Sequence, residues 1–182
     1  MNLILFGFKK CGKTYYGLKL AQALHTKFID TDLLIEELYT KIHHHTLSYR
    51  EIVKKHGFPF FRNLEKHAVS LLAHEKNSVI SLGGGVVLDQ DNVDRLQKMG
   101  TLIYLKTSKK TLKHRILSED PPSFFDPNHL SDSFENLYRE RLPVYENIAA
   151  EIIDTHGLTE EQLLNKLVFL AHELKAQKYG KE

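Results

Sequence analysis

Short apolar runs alternate with longer amphipathic stretches along the whole chain. NLILF at 2–6, KFID at 27–30, SVISL at 78–82, TLIYL at 101–105 and EIID at 151–154 have the length and character of β-strands. The segments 13–24, 59–75, 89–98, 108–118 and 130–149 are long enough for helices. Strand and helix in alternation predict crossover units, and with them a mostly parallel sheet covered on both faces, the α/β class. No repeat, low-complexity tract or linker interrupts the 182 residues, so one domain is expected.

Two stretches break the rhythm. YTKIHHHTLSYREI, 39–52, holds three consecutive histidines. Neighbouring residues on a helix point in different directions and make no chelate, so an exposed polar loop is expected there rather than a metal site. SEDPPSFFDPNH, 118–129, carries three of the five prolines and cannot be a regular helix. It predicts a long surface loop of the kind that serves as a lid.

Composition narrows the partners. A net charge of +2 gives no reason to expect nucleic acid. No apolar run approaches the roughly 18 residues that span a bilayer, and MNLILFGFKK lacks the basic start and cleavage site of a signal peptide. Cys11 is the sole cysteine, which excludes an internal disulfide and points to a reducing, cytoplasmic setting.

The chemistry begins at GFKKCGKT, Gly7 to Thr14, directly after the first strand. It fits G-x-x-x-x-G-K-[ST], a loop whose backbone N–H groups wrap a phosphate chain at the opening of a helix. Lys13 is expected to reach the β- and γ-phosphates and Thr14 to ligand Mg²⁺. Lys10, Cys11, Gly12 and Tyr15 complete the expected nucleotide contacts. The Cys11 thiol, near a helix N-terminus and Lys10, is either reactive or simply small enough for its position.

FIDTD places Asp30 and Asp32 at the end of the second strand, where i and i+2 share a face and ligands of α/β sheets bind. They can hold Mg²⁺-bound water and a substrate hydroxyl, or one of them can cap a helix. SLGGGVV sets Gly83, Gly84 and Gly85 after the third strand, more glycine than a tight turn needs and a sign of backbone pressed against a ligand. FFRNLEKH puts Arg62 and Glu65 at i, i+3, and RERLPVYENIA puts Arg141, Tyr145 and Ala149 on one helical face. A lone arginine on such a helix is ordinarily a solvated charge.

The ordered set G-x-x-x-x-G-K-[ST], D-T-D, F-R-x-x-E, L-G-G-G and R-x-x-x-Y-x-x-x-A resembles the shikimate kinase family over roughly residues 1–165. The resemblance implies a three-layer α/β/α P-loop kinase fold whose five-stranded parallel sheet runs 2-3-1-4-5. It implies transfer of the ATP γ-phosphoryl group to the 3-hydroxyl of shikimate, in a monomer with a shikimate-binding region near 32–65 and a lid near 118–129. Carried across, Asp32 binds the acceptor hydroxyls, Arg62 and Arg141 clamp its carboxylate, Gly83–Gly85 contact ring substituents, and Asp30 supports the Mg²⁺ shell. The family lid carries Arg-Pro where this chain reads EDPPS, and the late adenine loop has Gly157 where a basic residue is frequent. Residues 39–46 look like an insertion. Arg115 matches another nucleotide-side arginine and becomes the expected catalytic cation, with Arg139 second. The alternatives are another hydroxy-acid kinase of the gluconate type, or a kinase-like shikimate-binding protein with weak turnover.

Overall fold

A computed structural model describes residues 1–119 and 121–179. Its strands are β1 (Asn2–Phe6), β2 (Lys27–Asp30), β3 (Ser78–Ser81), β4 (Gly100–Lys106) and β5 (Glu151–Asp154). The seven helices of the described residues are α1 (Lys13–Ala23), α2 (Thr31–His43), α3 (Tyr49–Leu71), α4 (Gln90–Met99), α5 (Lys109–Glu119), α6 (Leu130–Ile148) and α7 (Glu160–Tyr179). All strand pairings are parallel, in the order β2-β3-β1-β4-β5. This is the expected three-layer α/β/α arrangement.

Burial explains the order. Every residue of β1 and β3 is buried, as continuous apolar strands between two helix layers must be, whereas β2 and β5 expose part of each edge. β1 lies between β3 and β4, with Leu5 opposite Ser81 and Ile103. The carboxyl ends of β1, β2 and β3 therefore open on one crevice, the place where such sheets bind ligands.

A second, smaller core lies away from the sheet. Ile35, Leu38 and Tyr39 of α2 pack against Ile52, Phe61, Leu64 and Ala68 of α3. This corrects the loop expected over 39–52. Tyr39–His43 complete α2, and residues 49–52 open α3 behind a capping box of Ser48 and Glu51. His43 stacks on Tyr39, whose hydroxyl hydrogen-bonds His56 Nε2 at 2.8 Å, while His44 and His45 are exposed at the turn.

α3 also begins ten residues before the predicted 59–75. Gly57 breaks it with φ 80° and ψ 171°, so Pro59 falls at the start of a second helical segment, where its missing N–H costs little. α7 is a further helix, beyond those the apolar pattern predicts. The stretch 121–129 is irregular, as expected, with turns closed by Phe125 N–H to Pro122 O and His129 N–H to Asp126 O. Asp120, within the expected lid, lies outside the described residues.

Candidate active site

The loop after β1 is held in shape before any ligand arrives. Gly12 has φ 98°, a conformation that glycine adopts without strain, and it precedes α1 without a side-chain cap. The first-turn N–H groups of α1 are left facing the loop, as anion binding requires. Lys13 is buried, and its ammonium donates to Gly7 O at 3.2 Å and Phe8 O at 2.9 Å, spanning the loop from within. Phe8 pins the outer strand of the loop by stacking on Tyr138 and meeting Tyr145 edge-on.

Thr14, Asp30 and Ser81 bring oxygen together from three elements. The Thr14 hydroxyl donates to Asp30 Oδ2 at 2.8 Å and lies 3.5 Å from the Ser81 hydroxyl. Hard oxygen donors of this kind suit Mg²⁺, which retains several of its waters and takes few protein ligands. Ser81 has no motif of its own. The rule that ligands gather at strand carboxyl ends is the signal that finds it.

Asp30 and Asp32 do not share a strand face. β2 ends at Asp30, whose Oδ1 accepts the Asp32 backbone N–H at 2.9 Å and so caps α2. Asp32 lies in the first helical turn, and its carboxylate points back into the cleft. Burial first, then the Asp30 charge, pushes its pKa up to about 6, while Lys13 and Lys9 draw it down.

Two of the three glycines now have a steric reason. None has a positive φ. A Cβ on Gly83 would stand 2.5 Å from Asp32 Oδ1, and one on Gly85 would stand 2.1 Å from Arg62 Nη1. Gly84 has ordinary room, and its carbonyl accepts the Tyr145 hydroxyl at 2.5 Å and Arg141 Nη1 at 3.4 Å. The turn is bare because side chains from three helices, Asp32, Arg62, and Arg141 with Tyr145, converge on it.

Arg62 is gripped by Glu65, almost wholly buried, through an ion pair with its Nη1. Burial raises the Glu65 pKa and the Arg62 charge opposes the rise. Arg141 approaches the same turn from α6, below the ring of Phe124 at 5.9 Å. Together with Lys9, Arg50, Phe58 and Phe124 these residues line a cleft of about 440 Å³ that runs from the phosphate loop to α3.

Other expected contacts fall elsewhere. Arg115 donates to the Lys10 carbonyl at 3.1 Å, and neither it nor Arg139, bonded to Asn136, is among the cleft-lining residues. Tyr15 donates its hydroxyl to Glu160 at the start of α7. The Cys11 side chain is buried against Gly7, and its N–H is bonded to Phe8 O, which favours the reading that a small residue fits there. Lys9, Arg50, Phe58 and Phe124 escape sequence reasoning because nothing local marks them as facing a cleft.

The family profile described as shikimate kinase matches residues 9–171. The chain belongs to the shikimate kinase family. It is 34% identical to the shikimate kinase of Syntrophus aciditrophicus, over 92% of this chain and 89% of that one. Identity to the shikimate kinase of Caldanaerobacter subterraneus is 35%, over 97% and 99%. Among solved structures, a shikimate kinase from Acinetobacter baumannii in complex with shikimate superposes with a TM-score of 0.84 at 26% identity, over 96% of this chain and 94% of that one. A gluconokinase from Sinorhizobium meliloti, at 19% identity and a TM-score of 0.56, shares the fold alone. Among the described residues no helix is long and apolar enough to cross a membrane.

Proposed function

We propose that this shikimate kinase family member transfers the γ-phosphoryl group of ATP to the 3-hydroxyl of shikimate, with the acceptor seated over Gly83–Gly85. The observation that carries this reading is the convergence of Arg62 and Arg141 on adjacent glycines. Two guanidinium groups brought to one turn call for an anion between them, and the planar fork of arginine suits a carboxylate. Asp32 stands beside them as acceptor for a substrate hydroxyl. A small hydroxylated acid satisfies both.

In the reaction a bond forms from the acceptor oxygen to the γ-phosphorus, and the bond from that phosphorus to the β–γ bridging oxygen breaks. ADP departs, and the hydroxyl proton passes to Asp32. The transition state is loose, so alignment and charge neutralisation outweigh a strong base. With a pKa near 6, Asp32 is ionised at neutral pH yet more basic than an ordinary carboxylate. Lys13 is placed to exchange the Gly7 and Phe8 carbonyls for phosphate oxygens. Thr14 and Asp30, with Ser81 beside them, would hold Mg²⁺, which would offset charge on the phosphate chain.

The test is coupled ADP release with MgATP and a panel of hydroxy acids. Shikimate is expected to support turnover and gluconate is not. Turnover on gluconate but not on shikimate would overturn the assignment. Tight shikimate binding without ADP release would instead favour a binding protein.

A further inference from the structure

The Gly84 carbonyl draws two donors from one helix. Arg141 and Tyr145 stand at i and i+4 on α6 and so reach the same turn. The Tyr145 hydroxyl donates to that oxygen at 2.5 Å, and Arg141 Nη1 at 3.4 Å. The neutral phenol therefore holds the close position and the guanidinium stands off. Strength alone favours the reverse, for a charged donor makes the shorter and stronger bond.

Packing explains the order. Tyr145 is fully buried, its ring meeting those of Phe6, Phe8 and Tyr104 at 5.8, 4.8 and 5.6 Å between centroids. That cage leaves the hydroxyl aimed at Gly84. Burial raises its pKa, with Arg141 and then Lys13 opposing, so at neutral pH the phenol is a donor. Without the hydroxyl the Gly84 carbonyl would lose its close partner, and leaving a part-buried carbonyl unpaired costs free energy. Arg141 is the charged donor already within reach. It would close on the carbonyl and turn its fork away from the cleft that it lines.

We propose that Tyr145 is a positioning residue for the acceptor: its hydroxyl occupies the Gly84 carbonyl and so keeps the Arg141 fork open to the substrate carboxylate. The proposal rests on the shikimate kinase reading above. Tyr145 touches no reacting atom and exchanges no proton in the transfer. It acts through Arg141, and its effect belongs to the acceptor side alone. The contact with Phe8 of the phosphate loop is made by the ring, so removing only the hydroxyl leaves that loop as it is.

Tyr145→Phe removes the hydroxyl and keeps the ring. Shikimate-dependent ADP release by the unaltered chain tests the function reading, and its absence would remove that reading and this proposal together. For Tyr145 the measurement is kcat/KM at saturating MgATP in the unaltered chain, Tyr145→Phe, Arg141→Ala and the double variant. That quantity is obtained even where the acceptor does not saturate. Tyr145→Phe should lower kcat/KM for shikimate about tenfold with Arg141 present, and less than about twofold once Arg141 is alanine. With the methyl ester of shikimate, which offers no carboxylate, the loss should again stay below about twofold. The KM for ATP should not change. A merely structural tyrosine would cost the same in both backgrounds and on both acceptors. Equal losses of that kind, or no loss with shikimate in the folded variant, overturn the proposal.

Discussion

Arg62 and Arg141 reach the glycine turn from different helices, and each is anchored by a partner of its own, Glu65 for the one and the Gly84 carbonyl for the other. Truncating either should weaken shikimate binding by roughly 2–5 kcal/mol, the usual cost of removing one member of a desolvated charge pair. Nucleotide affinity should hardly move, because neither guanidinium belongs to the phosphate loop. Calorimetry with each ligand checks both statements. Lys9 permits a test of a different kind. Its folded-state pKa is depressed by burial, Arg50 and Lys10, with Asp32 opposing. Below about pH 8 the folded chain must therefore hold a charge that the unfolded chain holds more easily. Above about pH 10.5 the amine is neutral in both states and the handicap disappears. Lys9→Met should accordingly melt higher than the unaltered chain at pH 7, with the difference shrinking as pH rises from 8 to 10.5. Melting curves at several pH values measure it.

At the scale of elements, α2 and α3 form a unit with its own core, and Phe124 of the stretch 121–129 reaches α3. Phe124 meets Phe58 of α3 edge-on at 5.5 Å and covers Arg141. These contacts bring a ring of the stretch 121–129 onto α3 and Arg141. Phe124→Ala should raise the KM for shikimate about two- to fivefold, the equivalent of one exposed cation–π contact, and leave the KM for ATP unchanged. Steady-state kinetics in both substrates tests the asymmetry. The phosphate loop and the five strands are legible in the sequence because each is written locally, as a motif or as an apolar run, whereas the strand order follows only from the family resemblance. The α2–α3 unit is far less so. Gly57 and Pro59 interrupt its periodicity, and the histidines at 43–45 disguise the end of one helix as loop. Gly83 and Gly85 were suspicious for their number alone. Their cause is the space taken by Asp32 and Arg62, residues some twenty to fifty positions away, and no local pattern records it. The pairing of Asp30 with Asp32 fails for a related reason. One carboxylate ends a strand by capping a helix, and the other is already inside that helix.

For the molecule as a whole, the cleft draws together residues from the loop, α2, α3, the stretch 121–129 and α6, so ligands should stabilise far more than the segments they touch. MgADP at a hundred times its Kd should stabilise the chain by about 2.7 kcal/mol. In a protein of this size that is a rise in Tm of about 5–11 °C. Chelation with EDTA should shrink the rise if Thr14 and Asp30 hold the ion, and calorimetric melts with and without EDTA decide. The strand order carries a consequence for synthesis. β1 is the central strand and the earliest to be made, but its partners are β3 and β4, not β2. Leu5 waits for Ser81, 76 residues later. At the usual pace of translation that interval is about 4 to 15 s. Through all of it the most apolar strand in the chain has no sheet to join, and α1 and α2 have no floor to pack on. The nascent chain must pass its most aggregation-prone moments before β3 emerges.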